Sequence, residues 1–177
     1  MILIINVCKE KLHYFEFVKP IEDVLRNNKI DFITRNYLDV GEEILRKTDK
    51  VIICGTSLKD NDFMKHIDSF SWILEYEKPI LGICAGMQVI GSIFGGKLKK
   101  AVEIGFFKEK FDKSFLGLMG EQEVYHLHNY FVQDWNEFEV YSGKEIIQAV
   151  KHKKKEIYGV LFHPEVRQKN MILEFAR

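Results

Sequence analysis

The chain has few of the residues that characterise a disulfide-stabilised or fibrous protein. It contains three cysteines and three prolines among 177 residues. An odd number of cysteines, at Cys8, Cys54 and Cys84, forms neither a disulfide framework nor a CxxC metal motif. Internal repeats, low-complexity segments and Pro/Gly/Ser linkers are also absent. We therefore expect residues 1–177 to form one domain.

An excess of charge and long hydrophobic runs are absent too. Lys and Arg together number 26, as do Asp and Glu, so the formal net charge is zero. This balance gives no bias toward nucleic acid or an anionic membrane. The apolar runs are too short to cross a membrane, and the opening MILIINVCKE is typical of a first strand rather than a signal peptide. These absences predict a reduced cytoplasmic protein without nucleic-acid or membrane partners.

The residues that are present alternate between strand and helix patterns in the first half of the chain. Short apolar runs predict buried strands over residues 2–7, 30–34, 51–54 and 79–83. Helical spacing predicts helices over residues 16–28, 40–47 and 85–94, and another after Asn61 with Phe63, Ile67, Phe70 and Leu74 on one face. From Gly105 onward, shorter alternating segments predict antiparallel strands. The fold class is therefore α/β, with a mostly parallel sheet between helices.

One candidate reactive residue lies between two glycines. Gly82-Ile83-Cys84-Ala85-Gly86 follows an apolar strand and precedes a predicted helix, which is the form of a G-x-S-x-G nucleophile elbow with sulfur in place of oxygen. The start of a helix offers N–H groups and a positive dipole end, which favour a thiolate. Taken alone, the pattern fits a small core thiol equally well.

A second motif supplies a base for such a nucleophile. In Gly159-Val160-Leu161-Phe162-His163-Pro164-Glu165, a strand is followed at its carboxyl end by a histidine and then a carboxylate. A cysteine nucleophile needs a base, and the base needs a partner that fixes its orientation. An isolated HPE is more often a surface turn, so the two motifs indicate a catalytic site only in combination.

With both motifs, the sequence resembles the class I glutamine amidotransferases. PILGICAGMQ fits that family's G-[IV]-C-x-G-x-Q pattern, and GVLFHPEV fits its G-x-x-F-H-P-E pattern, in the same order. The resemblance covers essentially the whole chain and implies a flavodoxin-like α/β sandwich. It also implies a glutaminase in which Cys84 attacks L-glutamine, His163 transfers protons and Glu165 orients His163.

The same resemblance implies roles for residues around the nucleophile. The oxyanion hole is expected at the backbone of Ala85 and of Gly55 and Thr56, although the family's SGGP is replaced here by Cys54-Gly55-Thr56-Ser57. Substrate contacts are expected from Gln88, His128, Asn129 and Tyr130, with Tyr130 in place of the family's aspartate. His126 and His128 share one face of a strand, but no third ligand is evident, so no metal site is predicted.

The resemblance also implies a partner. Such domains usually feed ammonia to a synthase, and no P-loop is present, so we expect a separate synthase subunit that carries ATP and Mg²⁺ while this chain holds no cofactor. The order of segments is most like that of the free-standing glutaminase subunit of archaeal-type GMP synthase. Two alternatives stay open: a stand-alone γ-glutamyl hydrolase, and a catalytically inactive regulatory module.

Overall fold

Nine strands are present in the computed structural model, which describes residues 1–177. Most of the strands in the first half are continuous apolar segments, as expected for strands that are covered on both faces. The strands are β1 (Ile2–Asn6), β2 (Phe32–Asn36), β3 (Lys50–Ile53), β4 (Ile80–Ile83), β5 (Lys97–Phe115), β6 (Leu118–Gln133), β7 (Phe138–Gly143), β8 (Ile147–His152) and β9 (Ile157–Val160).

Seven of these strands form a central sheet in the order β2-β1-β3-β4-β9-β8-β7. The pairs from β2 to β9 are parallel, whereas β9–β8 and β8–β7 are antiparallel. The predicted α/β class is confirmed, including the antiparallel strands in the second half. Strands β3, β4 and β9 are neighbours, so the segments that follow them meet at one edge of the sheet.

The remaining two strands form a separate antiparallel hairpin. β5 has 19 residues and β6 has 16, and they pair from Lys97 opposite Gln133 to Phe115 opposite Leu118. Leu116 and Gly117 close the hairpin with φ angles of 46° and 80°, as a two-residue turn of the I′ kind requires. The sequence predicts antiparallel strands in this region but not one hairpin of this length.

The helices cover both faces of the central sheet. A continuous helical stretch comprises α1 (Lys11–His13), a π-helical segment (Tyr14–Val18) and α2 (Lys19–Asn27); it is followed by a 3₁₀ turn (Tyr37–Asp39), α3 (Glu42–Lys47), a 3₁₀ segment (Asp62–Leu74), α4 (Ala85–Ile93) and α5 (Lys169–Ala176). None of them is long and apolar enough to cross a membrane.

Two hydrophobic cores lie on opposite faces of the sheet. Alternate residues of β1 show this, because Ile2 and Ile4 pack into one core while Leu3 and Ile5 pack into the other. The first core includes α2, α5 and the closed end of the hairpin, and the second includes α4 and the 3₁₀ segment. The sheet between them is thereby held rigidly, which fixes the loops at its carboxyl edge.

Candidate active site

Cys84 lies in the turn that joins β4 to α4. Its φ and ψ are 48° and −100°, a conformation that costs a non-glycine residue about 1–3 kcal/mol. Its N–H donates to the Val160 carbonyl at 2.7 Å, and its own carbonyl accepts from the Gln88 N–H at 3.0 Å. These bonds maintain the strained turn and place the thiol at the amino end of a helix.

Gly86 explains why the GICAG pattern requires small residues. An ideal Cβ at Gly86 would lie 2.2 Å from the carbonyl oxygen of Ile53, in the neighbouring strand β3. No side chain fits there, because the first turn of α4 packs directly on β3. The glycine therefore allows the close approach that the turn at Cys84 needs.

His163 and Glu165 form a buried pair beside Cys84. The Nδ1 atom of His163 is 2.7 Å from Oε1 of Glu165, and both side chains are almost completely buried. Because the Glu165 carboxylate accepts from Nδ1, it fixes the orientation of the ring and keeps the proton on Nδ1. Nε2 is the ring nitrogen that this contact leaves free. Nε2 makes no hydrogen bond, and Cys84 is close enough for its side chain to raise the pKa of this imidazole.

The charges around His163 favour its protonated form. Burial lowers the pKa of His163, but the negative charges of Glu165 and of the Cys84 side chain outweigh burial and hold the pKa well above its ordinary value. The arrangement therefore favours an imidazolium beside the Cys84 side chain. Such a pair has both a nucleophile and a proton donor ready for acyl transfer.

The loop after β3, where an oxyanion donor is expected, lies beside His163 and Cys84. Gly55 packs against the catalytic candidates, because an ideal Cβ there would lie 2.6 Å from Cε1 of His163 and 3.3 Å from Cβ of Cys84. The buried Thr56 hydroxyl donates to Oδ2 of Asp60 at 3.0 Å. The departure from SGGP thus gives this loop a side-chain anchor that a glycine could not supply.

Asp60 is a residue that sequence reasoning missed, since it belongs to no pattern. Besides Thr56, its Oδ2 accepts from the Lys9 N–H at 2.9 Å and contacts Nδ1 of His13 at 2.7 Å. Burial raises the pKa of Asp60, but these hydrogen bonds outweigh burial, and the net pKa is lower than usual. Asp60 therefore joins the loop after β3 to the segment that follows β1.

Strand β6 runs along the other side of the candidate nucleophile. The Leu127 carbonyl lies 3.6 Å from Sγ of Cys84, and the Tyr125 carbonyl accepts from the His163 N–H at 2.8 Å. Gln88 donates to the Tyr130 carbonyl at 2.9 Å. Asn129 donates to the Leu58 carbonyl at 2.8 Å. The structure thus brings Gln88, Asn129 and Tyr130 to the same edge as Cys84, while their contacts with substrate stay predictions.

His128 is turned away from this edge. Its Nε2 lies 2.8 Å from Oε2 of Glu103 in β5, and Nδ1 of His126 lies 3.3 Å from the same oxygen. The sequence shows no third ligand for this pair of histidines, but the fold places Glu103 beside both of them. Glu103 stands directly opposite His128 in the hairpin register, a relation that spacing along the chain does not reveal.

Comparisons with known proteins match this chain to one family. The family model described as "Glutamine amidotransferase class-I" matches residues 13–175. A GMP synthase (glutamine-hydrolyzing) of Staphylococcus epidermidis is 43% identical over 101 residues, which cover 50% of this chain and 19% of that protein. One from Staphylococcus aureus has the same identity and coverage. The chain thus spans about a fifth of the length of these curated relatives.

Solved structures agree on the fold. A putative GMP synthase subunit from Thermoplasma acidophilum superposes with a TM-score of 0.87 at 23% identity, covering 99% of this chain and 91% of that one. A glutamine amidotransferase from Thermotoga maritima gives a TM-score of 0.74 at 20% identity, covering 96% and 77%. Because the family model covers nearly the whole sequence, this chain belongs to the class I glutamine amidotransferases.

Proposed function

We propose that this chain is a glutaminase that hydrolyses L-glutamine through a Cys84 thioester and passes the ammonia to a separate GMP synthase partner. The observation that carries the proposal is the position of Cys84, in a strained strand–helix turn beside the buried His163–Glu165 pair. A core thiol would need neither the strain nor the adjacent imidazole.

In the first half of the reaction, the Cys84 thiolate attacks the side-chain amide carbon of glutamine and a C–S bond forms. The N–H groups of Ala85 and of the loop at Gly55 and Thr56 stabilise the oxyanion. Protonated His163 gives its proton to the amide nitrogen. The C–N bond then breaks, and ammonia leaves a γ-glutamyl thioester.

In the second half, His163 acts as a base. It takes a proton from water, the hydroxide attacks the thioester carbon, and the C–S bond breaks to release glutamate and restore the thiolate. Glu165 holds the imidazole in one orientation for both transfers. Gln88 and the backbone near Asn129 and Tyr130 hold the amino-acid part of the substrate.

The choice of a GMP synthase partner is supported by the 43% identity to two curated GMP synthases and by the fold shared with the putative GMP synthase subunit of Thermoplasma acidophilum. On this proposal the partner binds ATP and Mg²⁺ and receives the ammonia, and this chain needs no cofactor. Both proteins would work in the cytoplasm.

Glutamate release from L-glutamine tests the chemistry. Cys84→Ala should lower the rate roughly a thousandfold or more, because the nucleophile is lost. Cys54→Ala is the matched control, since Cys54 is a fully buried thiol outside the elbow, and it should retain activity. Equal activity of the Cys84→Ala chain, with or without a synthase, would refute the mechanism.

The acceptor is tested separately. The chain is mixed with the ATP-dependent subunit of a GMP synthase, and GMP formation is compared with glutamine and with ammonium as nitrogen source. We expect glutamine to support synthesis only when this chain is present. Faster cleavage of γ-glutamyl peptides than of glutamine would favour the stand-alone hydrolase, and no hydrolysis in either assay would favour the regulatory module.

A further inference from the structure

Glu103, His126 and His128 converge between β5 and β6. The two histidine side chains share one side of the strand, while the carbonyls of Tyr125 and Leu127 contact His163 and Cys84. Both histidines are buried. The strand therefore carries a second cluster that the proposed glutaminase mechanism does not use.

The spacing of the three side chains is that of metal ligands. Their nearest atoms are 2.8 Å apart for His128 Nε2 and Glu103 Oε2, 3.3 Å for His126 Nδ1 and the same oxygen, and 3.4 Å for the two nitrogens. A tetrahedral ion with bonds of about 2.0–2.1 Å has ligands roughly 3.3 Å apart. Two of the three separations match this value and the third, at 2.8 Å, is shorter, so the three atoms lie close to three corners of such a tetrahedron.

The hydrogen bonds around the cluster are consistent with a cation site. Two histidine nitrogens and the amide of Gln148 all converge on Oε2 of Glu103, with Gln148 Nε2 at 2.7 Å. One carboxylate oxygen is thereby approached by three nitrogens, and the two ring nitrogens face each other. The buried Oε1 of Gln148 has no partner. A cation between the nitrogens and the carboxylate would resolve this crowding.

A second carboxylate lies near the cluster, at a distance too long for a hydrogen bond. Nε2 of His126, the ring nitrogen on the far side from Glu103, lies 3.6 Å from Oε1 of Glu109. Ser142 donates to the other oxygen of Glu109 at 2.8 Å. Histidines that bind metals usually direct their second nitrogen at a carboxylate that is itself hydrogen-bonded. Glu103, Glu109, Ser142 and Gln148 line a cavity of about 750 Å³, which gives an ion a route to the cluster.

We infer that Glu103, His126 and His128 form a binding site for one divalent transition-metal ion, with Zn²⁺ as the best fit. Two imidazoles and one carboxylate are ligands that suit this ion, and the tetrahedral spacing leaves a fourth position toward the cavity. The ion would join β5 to β6, the strand that lines the active site. The site is independent of the proposed glutaminase activity.

Titration calorimetry with Zn²⁺ alone tests the site in the full chain carrying Cys84→Ala, which removes the competing thiol beside His163. We expect one ion per chain. Glu103→Gln, which nearly preserves shape, and His126→Gln should each weaken binding at least about tenfold, the lower bound seen when metal-site groups are lost. His66→Gln changes an exposed histidine and should bind like the parent.

Two further measurements keep the inference falsifiable if a substituted chain unfolds. The unsubstituted chain should melt at a higher temperature with Zn²⁺ than after chelation, because an ion that binds only the folded state stabilises it. Co²⁺ should give the visible bands of a tetrahedral site without a thiolate charge-transfer band. Absence of stoichiometric binding, a thiolate band in the parent, or unchanged affinity in folded Glu103→Gln would overturn the inference.

Discussion

Gly55 leaves no room for a side chain beside His163. In Gly55→Ala the new Cβ would lie 2.6 Å from Cε1 of His163, so the imidazole must move. A displacement of about 1 Å near the chemistry costs on the order of a hundredfold in rate. We expect glutaminase kcat to fall by that order while the circular dichroism spectrum is unchanged.

Gly41→Ala is the control for this substitution. An added Cβ at Gly41 has nothing within 4 Å, so the substitution tests the loss of a glycine without a clash. It should leave kcat within about twofold, as for a surface change away from special features. An equal loss of kcat in both variants would show that the contact between Gly55 and His163 does not affect the reaction rate.

Glu165 should determine the pH dependence of His163. Its charge is the largest cause that raises the pKa of His163, against burial, which lowers it. In Glu165→Gln we therefore expect the imidazole to titrate at lower pH and kcat to fall roughly 10²–10⁴-fold. NMR of the His163 ring proton against pH measures the shift, and an unchanged titration would contradict it.

The sign of the effect on stability follows from the same shift. A folded-state pKa raised above the usual 6.5 stabilises the protein below that pH, and the contribution is lost as pH rises through the folded pKa. In Glu165→Gln, the stabilisation that protonated His163 contributes should begin to be lost at a lower pH than in the parent. Denaturant unfolding of both chains across neutral and basic pH measures this difference.

At the scale of elements, the loop after β3 is held by Asp60 rather than by glycines. Asp60→Asn weakens the contacts to Thr56, His13 and the Lys9 N–H. We expect a loss of about 1–3 kcal/mol in the free energy of unfolding at pH 7 and a lower kcat. Asp62→Asn is the control, since its contact with Lys65 is at the surface and contributes at most about 1 kcal/mol.

The loss of unfolding free energy at acid pH gives a second test of the contribution of Asp60. Its folded pKa is lower than the ordinary 3.8, so its contribution is present above that value and is lost as pH falls through the lower folded pKa. The Asp60→Asn chain should therefore lose less stability between neutral and strongly acid pH. If the unfolding free energy of the Asp60→Asn chain fell with pH as steeply as that of the parent, the ionisation of Asp60 would make no contribution to stability.

The elements also show where sequence patterns are informative and where they fail. The buried strands are recognisable because continuous apolar runs have few other solutions. The helix expected after Asn61 is instead a 3₁₀ segment interrupted at His66, whose φ and ψ are −120° and 30°. Phe63 and Phe70 are buried as expected, but Leu74 is exposed, since the tighter turn rotates that residue away from the core.

Across the whole molecule, the sequence predicts the site better where its residues are close along the chain. Cys84 and Gln88 belong to one motif, as do His163 and Glu165, and their local spacing specifies their geometry. Asp60 and Glu103 act through distant partners, and only the folded loop and the hairpin register bring them into place. Single-sequence patterns contain no record of such pairings.

The hairpin docks onto the central sheet through aromatic side chains near its closed end. Phe111, near the closed end, is fully buried and packs edge-on against Phe162, the residue before His163. Phe115 continues the contact to Tyr141 and Tyr158 of the sheet. The hairpin therefore shares the core that supports His163, and we expect the chain to unfold as one domain.

Phe111→Ala tests this cooperation. Removal of a buried phenylalanine should lower the free energy of unfolding by about 3–5 kcal/mol, in a single transition seen alike by circular dichroism and tryptophan fluorescence. Phe15→Ala, whose ring is mostly exposed, should cost less than about 1 kcal/mol. Two separate transitions, or equal losses in both variants, would show that the hairpin folds independently of the sheet. If Phe111→Ala unfolds in one transition at a much lower denaturant concentration, then β6, which runs beside Cys84, is only as stable as the central sheet on which the hairpin packs.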